Sequence, residues 1–143
     1  MTDLLLAVDP RGVATLTLNR PALHNAFDDA LIADAIDKLT MLDGDPTVRC
    51  VVLRANGKSF SAGADLSWMK RMASYSHEQN VEDARALAKL MHTLNNLSKP
   101  TVARVHGPAY GGGVGLVACV DVAVGYSEAK FSLSEARLGL IPS

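Results

Sequence analysis

The sequence predicts an α/β fold with a mainly parallel sheet. Three observations carry that expectation. Short β-branched runs alternate with amphipathic helical stretches along the chain. Each connection between the expected strands is long enough to be a crossover. One run, Arg49-Cys50-Val51-Val52-Leu53-Arg54, is apolar on both faces, as a strand covered on both sides must be.

The elements follow in order. Val13 to Asn19 alternates and is rich in β-branched residues, and Arg20-Pro21 ends it. Asp28 or Asp29 then caps a helix whose apolar face runs Leu31, Ala35, Leu39, Leu42, widened by Ile32 and Ile36. Asp43-Gly44-Asp45-Pro46 stops it, and the buried strand 49–54 comes next. A Gly- and Ala-rich turn from Asn56 to Asp65 leads into a second helical stretch. There Ser76-His77-Glu78-Gln79 reads as a capping box, followed by Val81, Ala84, Leu87, Ala88, Met91 and Leu94 at helical spacing. Ser98-Lys99-Pro100 closes that stretch. A strand from Thr101 to Val105 runs into Gly111-Gly112-Gly113, a short helix continues through Leu116-Val117-Ala118, and Asp121 to Gly125 is the last strand. No low-complexity tract or domain boundary interrupts residues 1–143, which read as one domain.

Composition excludes several classes of function. Hydrophobic residues make up 48% of the 143, charged residues 20%, and the net charge is -1, so no basic excess points to nucleic acid. No apolar run approaches the ~18 residues that a membrane span requires. The two cysteines, Cys50 and Cys119, have no metal spacing and are expected as buried small hydrophobes. With no secretory or transit-type N-terminus, the expected compartment is the cytoplasm, although a removed presequence leaves no trace. The chain closes on the apolar segment Leu138 to Ser143, which leads us to expect a piece of a longer protein.

Two turns stand out chemically, Phe60-Ser61-Ala62-Gly63-Ala64-Asp65-Leu66 and His106-Gly107-Pro108-Ala109-Tyr110-Gly111-Gly112-Gly113. Both consist mostly of small residues at the carboxyl end of a strand, where α/β sheets place ligands. Small residues let backbone N–H groups approach a ligand, and two such turns side by side meet the requirement of an oxyanion hole. On residues alone, the glycines equally permit nothing more than tight helix–strand packing. Gly111-Gly112-Gly113 lacks the G-x-G-x-x-G spacing of a dinucleotide site.

Glu135 lies in an apolar, small-residue context, which suits either proton transfer or a structural pair with Arg104 or Arg137. His24, His77, His92 and His106 form no metal-ligand spacing, and Ser61 lacks a nucleophile elbow. Lys58, Lys70, Arg71 and Arg20 flank these segments, as ordinary surface charges or as a basic rim for a phosphorylated ligand.

Taken in order and spacing, these segments resemble the crotonase (enoyl-CoA hydratase/isomerase) family. The matching stretches are Leu18-Asn19-Arg20-Pro21, His24-Asn25-Ala26, Val51-Val52-Leu53, 60–66, Pro100, 107–113, Ala129-Lys130-Phe131 and 135–142. The resemblance implies a spiral of ββα units with the C-terminal helices absent, and assembly as a homotrimer or homohexamer. It implies that Ala64 and Gly112 supply the oxyanion N–H groups and that Glu135 is the acid/base. It also places Ala62, Gly63, Ala64, Asp65 and Leu66 along an acyl-CoA, with Lys58 near its phosphates. Coenzyme A enters as part of the substrate, with no separate cofactor and no metal. Where family members often carry another Lys, this chain has Ser67, with Lys70 or Arg71 nearby.

One departure matters. Well-known hydratases of the family have a second Glu where this chain has Gly115. In its wording the chain is most similar to bacterial methylglutaconyl-CoA hydratases of leucine breakdown, which also have Gly there. The resemblance therefore implies hydration of a branched enoyl-CoA. The alternatives are a double-bond isomerase, a hydratase of another enoyl-CoA, or a non-catalytic acyl-CoA-binding scaffold.

Overall fold

The structure is a computed structural model that describes residues 2–139 and 141. A hairpin opens the chain: β1 (Leu4–Val8) pairs antiparallel with β2 (Val13–Leu18), Leu4 opposite Leu18 and Val8 opposite Ala14. Asp9 shapes the turn, its carboxylate accepting from the N–H groups of Arg11 and Val13 at 2.8 and 3.1 Å. The sequence reading did not anticipate β1.

Helix α1 (Asp29–Gly44) follows, and the cap is Asp28, whose side chain accepts from Leu31 N–H at 3.0 Å. It buries Leu31, Ile32, Ile36, Leu39 and Leu42. Strand β3 (Cys50–Ala55) lies parallel to β2, from Val13 opposite Cys50 to Leu18 opposite Ala55. The second helical stretch is two helices, α2 (Leu66–Met72) and α3 (His77–Asn95), and the expected capping box at Ser76 and Gln79 is present. Then come β4 (Thr101–Val105), β5 (Ala109–Tyr110), α4 (Gly112–Ala118), β6 (Val122–Gly125) and β7 (Phe131–Ser132). Helix α4 starts at the glycines, one turn before the expected Leu116. A 3-10 turn, Ser134–Leu138, is the last described element.

The main sheet has the order β1-β2-β3-β4-β6, and every pair after the hairpin is parallel. A second, very short ladder runs beside it: Ser61 bridges Ala109, and Ala109 pairs with Phe131, again in parallel. Each turn of the chain thus lays one long strand in the sheet and one short one in the ladder, the spiral of ββα units that was expected. Helices α1 and α3 cover one face of the sheet, with Phe27, Leu16, Val51 and Leu94 among the buried contacts.

Both cysteines are half-buried rather than fully buried. Burial pushes the Cys119 thiol up. Among the described residues, no helix is long and apolar enough to cross a membrane, and no three His, Cys, Asp or Glu side chains are grouped to hold a metal ion.

Candidate active site

The short ladder explains how distant residues meet. Ser61, Ala109 and Phe131 stand side by side. Three residues further along each strand lie Ala64, Gly112 and Ser134, with Glu135 next. Equal offsets from a shared register bring the two turns and the carboxylate to one place.

In the first turn, Ala64 forms an isolated parallel bridge with Phe27. Phe27 N–H donates to Gly63 O at 2.8 Å and Asp65 N–H donates to Phe27 O at 2.9 Å. That pattern uses the neighbours of Ala64 and leaves its own N–H facing away. Gly63 has φ +81°, and a Cβ on it would lie 2.8 Å from Tyr110 O and 3.1 Å from Gly112 N. The turn therefore needs glycine here, and the second turn comes into contact with it. The hydroxyl of Ser61 braces this geometry, accepting from Gly63 N–H at 3.1 Å and donating to Asn25 O at 2.9 Å.

In the second turn, Gly112 is the first residue of α4, so its N–H has no intrahelical acceptor. A Cβ on Gly112 would sit 2.5 Å from Phe27 Cζ. The ring of Phe27 thus packs directly against Gly112. Among the described residues, neither Ala64 nor Gly112 donates its N–H to any protein acceptor.

Glu135 lies against the same second turn. Its Oε1 would lie 3.1 Å from a Cβ placed on Gly111. Both carboxylate oxygens are buried and, among the described residues, have no hydrogen-bond partner. The structural pairing with Arg104 or Arg137 does not form among the described residues. A buried carboxylate left unpaired carries its lost hydration uncompensated, which sets it apart from a stabilising ion pair.

A cavity of about 310 Å³ joins these groups. Ala62, Ala64 and Leu66 form one wall, Gly111, Gly112 and Glu135 another, with Met69 and Leu87 reaching in from α2 and α3. Glu135 is the single carboxylate among its lining residues. A second cavity of about 540 Å³ shares Ala62, Ala64 and Leu66 and extends past His24, Asp65, Ser67 and Lys70. The turn 62–66 is therefore a wall common to both.

Not every expected site residue lies with these. Lys58 is exposed and lines neither cavity. Lys70 lines the second, whereas Arg71 is engaged by Asp29 at 2.9 Å. Gly63 packs behind the turn, its N–H taken by Ser61. Asp65 is buried and caps α2, accepting from Ser67 and Trp68 N–H at 2.7 and 3.2 Å. Arg20 is neither a surface charge nor a ligand rim: it is 13% exposed and paired with Asp3, Asp28 and Asp65. Leu18-Asn19-Arg20-Pro21 end a strand, and nothing local shows that the guanidinium turns inward. His24 Nδ1 lies 3.0 Å from Ser59 Oγ and His106 Nε2 donates to Gly57 O at 2.8 Å. Phe27 was missed altogether. Its signal was its place before the cap Asp28, where an apolar residue staples a helix start.

Two N–H donors without protein acceptors on residues lining one cavity, beside an unpaired carboxylate, fit a carbonyl that turns into an enolate while a proton moves nearby. The comparisons with known proteins agree. Residues 9–143 match the family described as enoyl-CoA hydratase/isomerase. An enoyl-CoA hydratase structure from Shewanella pealeana superposes with TM-score 0.95 at 44% identity, covering 99% of this chain and 53% of that one. The 2,3-dehydroadipyl-CoA hydratase of Escherichia coli is 35% identical over 142 residues, 99% of this chain and 53% of its own. A mitochondrial Delta(3,5)-Delta(2,4)-dienoyl-CoA isomerase of Dictyostelium discoideum is 34% identical over 141 residues, 93% of this chain and 48% of its own. The chain spans about half the length of the curated relatives it matches. With its fold, its paired turns and its motifs all in agreement, the chain belongs to the enoyl-CoA hydratase/isomerase family.

Proposed function

We propose that the complete protein is an acyl-CoA hydratase acting on a branched enoyl-CoA, methylglutaconyl-CoA of leucine degradation. The observation that carries this reading is the buried, unpartnered Glu135 carboxylate on the same cavity as the unbonded N–H groups of Ala64 and Gly112. The thioester oxygen sits between the two N–H groups, which hold the negative charge that develops when the enolate forms. Glu135 takes a proton from water as the water oxygen bonds to the β-carbon. The π electrons shift toward the thioester, and the proton then passes from Glu135 to the α-carbon. The turn 62–66 lies between the acyl group in the smaller cavity and the coenzyme A in the larger, where Lys70, and Lys58 from the surface, meet its phosphates. Coenzyme A arrives with the substrate, and no separate cofactor takes part. The branched glutaconyl group is favoured by the wording of the loops around Ala64, Gly112 and Glu135 and by Gly115.

A second reading rests on a specific observation. With Gly115 in α4, Glu135 is the one carboxylate that lines the cavity among the described residues, and one carboxylate suffices to carry a proton between two carbons. That is double-bond isomerisation. Mass spectrometry of the product in ¹⁸O-labelled water separates the two, because only hydration incorporates the label. In the complete protein, Glu135→Gln keeps the shape and removes the base, so kcat should fall roughly 10²–10⁴-fold with KM little changed. Hydration at the parent rate by this variant would overturn the assignment. A complete protein that binds the thioester but converts none of it is the non-catalytic scaffold.

A further inference from the structure

We infer that Arg20 is a positioning residue that holds both oxyanion donors in register, an inference that rests on the oxyanion reading above. Its guanidinium touches neither cavity. Instead it brackets Phe27: Nη1 donates to Ala26 O at 2.8 Å and lies 3.1 Å from Asp28 Oδ2. On the other strand of the bridge, Nη2 lies 3.3 Å from Asp65 Oδ2, the residue after Ala64. Nε reaches Asp3 at 3.3 Å. One cation thus ties the segment before α1 to the turn before α2.

The consequence for the site follows from what each strand carries. The Phe27–Ala64 bridge is isolated; upstream of it Ala62 N–H donates to His24 O and Ser61 Oγ to Asn25 O, both at 2.9 Å, and the Arg20 clasp reaches past the bridge to Asp28 and Asp65. The strand tied through Asp65 presents the Ala64 N–H. The strand tied through Ala26 and Asp28 presents the Phe27 ring, on which Gly112 rests. Slippage between the strands would move both donors relative to one oxygen. Asp65 also divides its carboxylate: Oδ1 caps α2 and Oδ2 meets Arg20. Without the cation, Asp65, 9% exposed at its side chain, and nearby Asp28 would face each other as uncompensated like charges. Lysine is no substitute, because its single ammonium cannot span acceptors on both strands as a planar fork with five donors does.

The test uses the complete protein and a conjugated dienoyl-CoA, whose ultraviolet band moves to longer wavelength when its thioester carbonyl is polarised by hydrogen bonds. Arg20→Lys should bind the thioester with KM and Kd within about threefold of the parent. Its kcat should drop roughly 10–100-fold, as expected for donors displaced by a fraction of an ångström to an ångström, and most of the band shift should be lost. Asp28→Asn, at a residue that lines neither cavity, keeps the oxygen that caps α1 and loses the charge that Arg20 grips, so it should show the same split. It carries the test if Arg20→Lys fails to fold. A parent-like band shift and kcat in the folded variants would overturn the positioning role. Absence of any shift in the parent would instead overturn the oxyanion reading itself.

Discussion

Gly112 shows how tightly single atoms constrain this site. A methyl group there would overlap the Phe27 ring, 2.5 Å from Cζ, and Phe27 is fully buried with nowhere to retreat. Gly112→Ala should therefore cost about 1–3 kcal/mol of stability through overpacking. It should also lower kcat by roughly 10²–10³-fold if the displaced N–H is the oxyanion donor proposed above. Phe27→Leu in the same chain removes the clashing atom and should recover part of the lost stability, so that the two changes are not additive. Urea midpoints of the four species in a double-mutant cycle measure this, and strict additivity would show that the ring does not support the helix start. Residues of this kind differ in how legible they are from sequence. Ala64, Gly112 and Glu135 stand out because small residues after strands, and a carboxylate among apolar neighbours, are local signals. Arg20 and Phe27 act through partners far along the chain: Arg20 meets Asp65 across 45 residues. No window of sequence contains that contact.

At the scale of elements, the helices announced themselves through apolar spacing and caps, and the sheet through β-branched runs. The misses were short or unsupported elements. Strand β1, Leu4-Leu5-Leu6-Ala7-Val8, is apolar throughout, so its sequence shows no polar–apolar alternation even though Leu4 is buried and Leu5 exposed. Strands β5 and β7 are two residues each, below any periodicity. Strand β4, by contrast, is fixed at its start by two carboxylates. Asp121, just before β6, accepts from Thr101 N–H and hydroxyl at 2.7 and 2.8 Å. Asp43, near the end of α1, accepts from Ser98 N–H and hydroxyl, both at 2.7 Å. The Thr101 N–H, and then its hydroxyl, hold the Asp121 carboxyl below the usual range; the Ser98 hydroxyl, and then its N–H, do so for Asp43. Because folding lowers these pKa values, the stabilisation is present above the unfolded value of about 3.9. It is lost as the pH falls through the lower folded values. Asp121→Asn should be less stable than the parent at pH 7 and should lose less on going from pH 5 to pH 2. Urea unfolding across that range measures the difference, and parallel curves would mean that Asp121 does not link folding to protons.

At the scale of the whole molecule, β6 is the last strand of the main sheet among the described residues. Strand β6 is exposed at all four positions, Val122 at 52% and Val124 at 57%, and Tyr126 and Phe131 continue the apolar surface at 62% and 50%. An uncovered apolar edge strand invites association. A polypeptide of these 143 residues should self-associate, while the complete protein should be a trimer or hexamer. Light scattering across a tenfold concentration range distinguishes the two, and a monodisperse complete monomer would contradict the assembly. The order of the strands has a different consequence, for synthesis on the ribosome. Spatial order in the main sheet repeats chain order, β1-β2-β3-β4-β6, so no later strand inserts between two earlier ones. A nascent chain can therefore add each strand to the growing edge as it emerges, without reopening what has already paired. The ladder that aligns the site grows in the same direction, from Ser61 to Ala109 to Phe131. Glu135 leaves the tunnel after Ala64 and Gly112, so translation delivers the two turns proposed to bind the thioester before the carboxylate proposed to carry the proton.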